Sequence, residues 1–380
     1  MKVLFLATGD TYGSSQALLS LIELLDKDVT PVVVYSLNNG LEKILQERNI
    51  KSYHIYLEPN SYPSVSGLKN KLLFLRNLIR SRLKYYLSYR LLENVVKLEK
   101  PNIIHSNVGV YSEGFMLAQK YNIPHVWHLR EYQDKDFQMN FLWSKKYFLS
   151  KLKSNRNYNI AITKGISDYF GNLPNTTVIY DGVISCNQIV NTIEKENYFL
   201  FVGSISTPKG IDTLIYSYIN FCKYNNTHRL LIAGDDSTIL AKRLKKLVKD
   251  KKLEDRIIFL GFRQDRFELM QKATALIVPS LFEAFGLITA EAMFNNCIVI
   301  GRNTAGTKEQ FDNAFNLKKR EVGFRYQNDE ELIHILNQII NLPSSELNLR
   351  LKLGHSVVKD LYSKEQNALA IQKLYKQILK

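Results

Sequence analysis

Cysteine, long apolar runs and the familiar phosphate-loop signatures are scarce or absent in this sequence. Its three cysteines, Cys186, Cys222 and Cys297, stand far apart, without disulfide or metal-ligand spacing. That excludes a disulfide-stapled scaffold and a cysteine-held metal centre, and the three read as buried thiols in a reducing compartment. No apolar run reaches the ~18 residues of a membrane-spanning helix. The opening Met1-Lys2-Val3-Leu4-Phe5-Leu6-Ala7 is too short, and too soon followed by polar residues, for a signal peptide, so it reads as a first strand. Neither G-x-G-x-x-G nor the P-loop pattern occurs, which weakens dinucleotide and ATP readings. There is no internal repeat and no low-complexity tract. Acidic residues are in deficit: 51 Lys and Arg against 36 Asp and Glu leave a formal net charge of +15. Such a surplus fits an anionic partner, an anionic surface or plain solubility. With no nucleic-acid module or motif beside it, nucleic acid is not an expected partner.

A chain of 380 residues exceeds one ordinary core, so two domains are expected. The 45% hydrophobic and 23% charged content is that of a globular protein. The most informative stretch is Pro279-Ser280-Leu281-Phe282-Glu283-Ala284-Phe285-Gly286-Leu287-Ile288-Thr289-Ala290-Glu291-Ala292-Met293, between the apolar runs Ala275–Val278 and Cys297–Gly301. Two buried parallel strands with a loop and helix between them make a βαβ unit, and such sheets bind ligands where strands hand over to helices. Gly286 permits close backbone approach. The amides of Gly286, Leu287 and Ile288 would be free at the helix start, a ready phosphate site. Glu283 before the helix and Glu291 inside it are acceptor groups suited to hydroxyl donors, one to a sugar and one to a ribose diol. Taken alone, Glu283 would be a helix cap and Glu291 a solvated residue.

This segment resembles the Glu-x7-Glu motif of retaining nucleotide-sugar glycosyltransferases of family 4. The resemblance is strong in the second half of the chain and loose in the first. It implies an α/β chain of GT-B architecture, with two Rossmann-like domains facing each other and a C-terminal helix crossing back to the N-terminal one. We place an N-terminal acceptor-binding domain at 1–188, joined by a crossover helix at 363–380, and a C-terminal nucleotide-sugar domain at 196–362, with a polar linker from Cys186 to Asn197.

In the first half, Thr8 to Ser15 follows the first strand and precedes a helical pattern. The family carries paired glycines here facing the donor diphosphate; Gly13 keeps one and Ser14 replaces the other. Leu68 to Lys100 holds nine Lys and Arg against two Glu, with Leu75, Ile79, Leu83 and Leu87 repeating every four residues beside Arg76, Arg80 and Lys84. This predicts an amphipathic helix with interleaved tyrosines. Lys145, Lys146, Lys151, Lys153 and Arg156 form a second basic stretch near Trp143, Tyr147 and Phe148. Basic residues mixed with aromatics and leucines suit an anionic membrane surface, or equally a solvated face over a core. Ile123 to Glu131 is a strand ending in His128, Arg130 and Glu131. The resemblance maps His128 to the histidine that faces the donor sugar; Arg130 is a candidate for the acceptor or a phosphate and Glu131 for the acceptor, or else the two are a mutual pair. His105 and His125 read as structural. Val178 to Val183 is expected as the last strand of the first domain, with Asp181 where the family has Asn.

The second half restarts with Tyr198 to Gly203, and Lys209-Gly210 precedes a helix from Ile211 to Cys222. A lysine at a helix start is electrostatically misplaced unless an anion sits there. In the family this lysine contacts the donor phosphates, and an arginine commonly follows the strand glycine, where this chain has Ser204. The backbone after Gly261, at Phe262, is where the family seats the nucleobase. Gly203, Phe285 and the residues above complete the candidate donor site.

The resemblance implies a retaining hexosyltransferase with His128, Lys209 and Glu283 at the reaction centre. It would take a nucleotide-sugar donor, a UDP-sugar in preference to a GDP-sugar, and no other cofactor or metal. Asp134-Lys135-Asp136 matches the Asp-x-Asp of metal-dependent enzymes but lacks the strand expected before it, so it reads as surface. A lipid-linked or glycan acceptor in cell-surface polysaccharide synthesis, at the inner face of the cytoplasmic membrane, fits the basic first half. The alternatives are a nucleotide-sugar epimerase or phosphorylase on the same architecture, and a subunit that holds the donor without turnover.

Overall fold

A computed structural model of the chain describes all residues except 12, 64–67, 137–138 and 191–192, and except the side chains of 68–73, 75 and 79. The chain divides into two compact units, Met1–Gly182 with Lys364–Lys380, and Val183–Ser363. The crossing thus falls between Gly182 and Val183, and the polar stretch after Cys186 lies within the second unit.

The first unit runs β1 (Lys2–Ala7), α1 (Gly13–Glu23), β2 (Thr30–Tyr35), α2 (Leu41–Glu47), β3 (Lys51–His54), β4 (Ser61–Pro63), α3 (Leu68–Glu99), β5 (Ile103–Ser106), α4 (Glu113–Lys120), β6 (His125–Leu129), β7 (Met139–Phe141), α5 (Lys145–Leu152), β8 (Asn157–Ala161), α6 (Lys164–Tyr169) and β9 (Thr176–Val178). Its seven-stranded sheet has the order β3-β2-β1-β5-β6-β8-β9, and β4 pairs β7 antiparallel. Alternation along β1 builds a core on each face. Val3, Phe5 and Ala7 pack with α1 and with Ala368, Ile371 and Tyr375 of the last helix; Leu4 and Leu6 pack with Leu92, Val95 and Val96 of α3.

The second unit runs β10 (Glu196–Val202), a 3-10 turn (Thr207–Lys209), α7 (Ile211–Phe221), β11 (Arg229–Ala233), α8 (Ile239–Asp250), β12 (Ile257–Gly261), α9 (Arg266–Lys272), β13 (Ala273–Val278), α10 (Leu287–Phe294), β14 (Ile298–Arg302), α11 (Ala305–Lys318), β15 (Phe324–Tyr326), α12 (Asp329–Ile339) and α13 (Ser344–Leu361). Its six strands are ordered β12-β11-β10-β13-β14-β15, all parallel. This is the order of the dinucleotide-binding fold, in which the chain reverses direction beside the first strand and opens a crevice there. The final helix, α14 (Lys364–Ile378), returns to the first unit, with Gln372 accepting from Asp26 N at 2.7 Å and donating to Leu24 O at 3.2 Å.

Two expectations shift. The last strand of the first unit ends at Val178, and Asp181 beyond it turns inward to a buried ion pair with Arg130. In α3 the side chains of Leu75 and Ile79 lie outside the described residues, but Leu83 and Leu87 are 64% and 61% exposed, while Leu92, Val95 and Val96 face the core. A four-residue repeat overshoots the 3.6-residue turn by roughly 40° per step, so the row winds away from the sheet.

Candidate functional site

The crevice of the second unit lies between β10 and β13, and the loops leaving these two strands carry Lys209 and Glu283. The loops are joined: Leu281 N donates to Pro208 O at 3.1 Å. Gly210 makes this fit possible. Its φ is +67°, and a Cβ there would stand 2.1 Å from Pro279 O, so a side chain would drive the loops apart. Lys209 Nζ reaches Glu283 Oε1 at 2.7 Å, with side-chain exposures of 35% and 15%. The misplaced lysine therefore has a carboxylate beside it at the mouth of the crevice, and remains open enough to meet an anion.

Glu283 is fixed from behind. Its carbonyl accepts from Gly306 N at 2.8 Å, and Gln310 Nε2 donates to Phe285 O at 2.7 Å and Gly286 O at 3.0 Å. Gly286 takes φ +86° and turns the chain into α10, leaving the first-turn N–H groups of Leu287 and Ile288 without helical acceptors. Gly286 is buried, Leu287 exposed and Ile288 half-buried. Phe285 places its ring in the core against Tyr362, so only its backbone belongs to the loop.

Glu291, on the second turn of α10, is held by Arg266, whose Nη2 and Nε donate at 3.0 and 3.3 Å. Sequence reasoning missed Arg266, although the signal that exposed Lys209 was there: a cation at the first position of a helix, α9. Three strand-end glycines make a continuous edge. Gly203 N donates to Ala233 O at 3.0 Å and Gly234 N to Gly261 O at 2.9 Å, and a Cβ on Gly234 would lie 2.1 Å from Gly203 O. Beyond that edge Phe262 is 68% exposed, and Ser204 Oγ stands 3.2 Å from Ser206 Oγ.

In the first unit, Gly13 opens α1 at φ +47° with open space where a Cβ would be, while Ser14 is half-buried and its carbonyl accepts from Asn107 Nδ2 at 2.9 Å. His128 is fully buried at the end of β6. Its Nδ1 lies 3.2 Å from His105 Nε2 and 3.4 Å from Arg130 Nη2, and Nε2 is buried with no partner. Burial, then the Arg130 charge and His105, hold the His128 pKa well below the ordinary value, so the ring is neutral. His105 Nδ1 in turn meets the Tyr375 hydroxyl of α14.

Arg130 is spent internally. Its Nη1 donates to both carboxylate oxygens of Asp181, and Nε and Nη2 reach Asn107 at 3.0 and 3.2 Å. Its partner is thus Asp181 and not Glu131. Glu131 Oε1 accepts from Gly109 N at 3.3 Å, and burial together with Asp136 raises its carboxyl pKa to about 7. Arg130 also explains the aspartate at 181, whose charge it neutralises.

The second unit matches the family model described as glycosyl transferases group 1, over residues 187–355. An uncharacterized glycosyltransferase of Methanocaldococcus jannaschii is 26% identical over 297 residues, 77% of this chain and 80% of the relative. The O-antigen chain mannosyltransferase RfbU of Salmonella typhimurium is 35% identical over 127 residues, 33% of this chain and 34% of its own length. Among solved structures, Anabaena HepE in complex with UDP superposes with a TM-score of 0.79 at 17% identity, covering 99% of this chain and all of that one. The likenesses agree on two points: residues 187–355 are similar to the glycosyl transferases group 1 family, and the chain as a whole has the GT-B fold of its structural neighbours.

Proposed function

We propose that the chain is a metal-independent, retaining glycosyltransferase of family 4. It takes a nucleoside diphosphate sugar, a UDP-sugar in preference to a GDP-sugar, and transfers the sugar to a hydroxyl of a lipid-linked or glycan acceptor in cell-surface polysaccharide or glycoconjugate synthesis. The observation that carries this reading is the Lys209–Glu283 pair at the head of α10. The bond between the sugar's anomeric carbon and the diphosphate breaks, and its electrons go to the departing oxygen. Lys209 and the first-turn amides of α10 meet that charge in place, the role for which fixed dipoles are most effective. The acceptor hydroxyl attacks from the face the diphosphate leaves, and its proton passes to the departing diphosphate. Glu283, released from Lys209, accepts from sugar hydroxyls, and Glu291, oriented by Arg266, accepts from the ribose diol. Gly203, Ser204 and Phe262 complete the donor site on the second unit in this reading, and Gly13 and Ser14 are candidate donor contacts on the first. Neutral His128, with Nε2 unpartnered, is the candidate for a further sugar hydroxyl. The O-antigen relative and the neighbour's UDP complex support the choice of chemistry.

Incubation with a panel of sugar nucleotides tests this. Slow hydrolysis that releases nucleoside diphosphate and sugar of unchanged anomeric configuration is expected. An altered sugar nucleotide would favour an epimerase, and binding without turnover a donor-holding subunit.

Peripheral membrane binding, at the inner face, is the second element of the proposal. Among the described residues no helix is long and apolar enough to cross a membrane. Leu83, Leu87 and Leu91 of α3 form an exposed row flanked by Arg82, Lys84 and Arg90. Such a row suits an anionic lipid surface. Co-sedimentation with phosphatidylglycerol vesicles but not phosphatidylcholine vesicles is the expected result, and equal sedimentation with neither would remove this element.

A further inference from the structure

The two basic, aromatic segments of the first unit meet around one cavity of ≈ 550 Å³. Arg82 and Tyr85 come from α3, Trp143 from the turn before α5, Tyr147 and Lys151 from α5 itself, and Glu58 and Asn60 from the segment after β3. The lining sorts into three chemistries. Arg82 and Lys151 have no carboxylate partner among the described residues; Arg82 lies 4.7 Å from the Trp143 ring, and Lys151 Nζ has the Ser112 hydroxyl at 3.4 Å. Glu58 Oε2 and Asn60 Oδ1 are buried acceptors that receive no hydrogen bond. Trp143 and Tyr147, 53% and 46% exposed, supply flat apolar surface.

Each set asks for a different part of one ligand. Unneutralised cations at a shared cavity call for an anion, and the guanidinium fork favours phosphate oxygens. Unsatisfied buried acceptors call for hydroxyl donors. Aromatic faces suit the C–H side of a sugar ring. The buried Glu113 carboxyl makes no ion pair with either cation: its Oε1 accepts from Glu58 N at 2.9 Å and Ser88 Oγ at 3.4 Å, and burial raises its pKa to about 7. Lys151 is held below its ordinary pKa by burial, with the Glu113 charge opposing the effect and Arg82 adding to it.

We propose that this cavity binds the phosphate-bearing end of the acceptor, a sugar 1-phosphate or 1-diphosphate, with the phosphate on Arg82 and Lys151, the hydroxyls on Glu58 and Asn60, and the ring against Trp143 and Tyr147. The inference rests on the transferase reading, since it names the class of molecule that receives the sugar. The phosphate either is free or links the sugar to a lipid.

Trp143 is the reporter, because Trp127, the other tryptophan, is fully buried. N-acetylglucosamine 1-phosphate serves as the soluble probe, and the same sugar on farnesyl diphosphate, in detergent, as the lipid-anchored one. Saturable quenching of the full chain is expected, weakened at least tenfold in Arg82→Gln and in Lys151→Met. Equal affinity for the two probes assigns a soluble phosphosugar; saturation by the farnesyl probe alone assigns a lipid-linked one. Thermal melts check that each variant is folded, and Arg82→Gln, at an exposed position, serves if Lys151→Met is not. No quenching by either probe, or quenching that both folded variants retain in full, overturns the proposal. Donor hydrolysis without acceptor, measured on the same wild-type protein, separates the two readings. Hydrolysis without phosphosugar binding sinks the cavity assignment alone; phosphosugar binding without hydrolysis sinks the transferase reading and leaves a phosphosugar site that is not an acceptor site.

Discussion

Replacing Lys209 with alanine should leave the fold nearly as stable while crippling turnover. The ion pair to Glu283 spans 2.7 Å, but the lysine side chain is 35% exposed and Glu283 15%. Pairs this open to water are worth about 0.2–1 kcal/mol to stability. Glu283 keeps its backbone anchor at Gly306 and its access to solvent, so the variant leaves no carboxylate stranded in an apolar core. The melting temperature should therefore fall by only a few degrees. The kinetic effect is of another order, because the same cation would face the charge that develops on the leaving diphosphate. Removing one such donor costs roughly 2.7–4 kcal/mol in the transition state, or about 100- to 1000-fold in kcat. Donor KM should change much less, since the charge to be met is greater in the transition state than in the bound donor. Steady-state donor hydrolysis and a thermal melt on the same preparation measure both. A kcat within about threefold of wild type, with the melt unchanged, would refute the assignment of Lys209 to the leaving group.

Three further outcomes follow from the geometry. Glu291→Ala frees Arg266 and removes the acceptor for the ribose diol, so donor affinity should fall at least tenfold while kcat at saturation moves less; calorimetric titration with the nucleotide checks this. Gly210→Ala places a methyl group 2.1 Å from Pro279 O at φ +67°, and should destabilise the second unit by ~2–3 kcal/mol in urea denaturation and lower donor affinity with it. Glu113→Gln gives a pH signature. Burial raises the Glu113 carboxyl from 4.5 to about 7, so the folded chain holds an extra proton between those values and stability falls as pH rises through that window. The fully developed penalty is at most ~3 kcal/mol. The glutamine variant should match wild type near pH 5 and exceed it by up to that amount at pH 8; a gap independent of pH would sink the reasoning.

The second unit was the more legible half, for a physical reason. Its site is built from short contiguous words. A buried strand, a proline, Glu283, Gly286 and a helix follow one another in the chain, and Lys209 announces itself as a cation at a helix start. The return of helix α14 was legible only through the family resemblance; in the structure its apolar positions pack into the core of the first unit. What escaped sequence reading depends on residues far apart in the chain. Arg130 and Asp181 are brought together across the sheet, and neither carries a local mark of the other. The cavity gathers Asn60, Arg82, Lys151 and Trp143 from three segments, two of which read separately as solvated or membrane-facing and the third of which carried no signal. Strands β3, β4 and β7 are too short to impose a period, and the leucine repeat of α3 gave the right helix but not the face it buries. Arg266 was a failure to apply to α9 the test already applied to Lys209.

The account's central claim is that the crevice between β10 and β13 holds a nucleoside diphosphate on Lys209 and the head of α10. Titration of the full chain with UDP, followed by calorimetry, tests it most directly. One site per chain is expected, with affinity lowered at least tenfold by Glu291→Ala and lowered also when Gly210→Ala forces the two loops apart. No heat of binding with UDP or with any other nucleoside diphosphate would contradict it, as would binding that both variants leave unchanged.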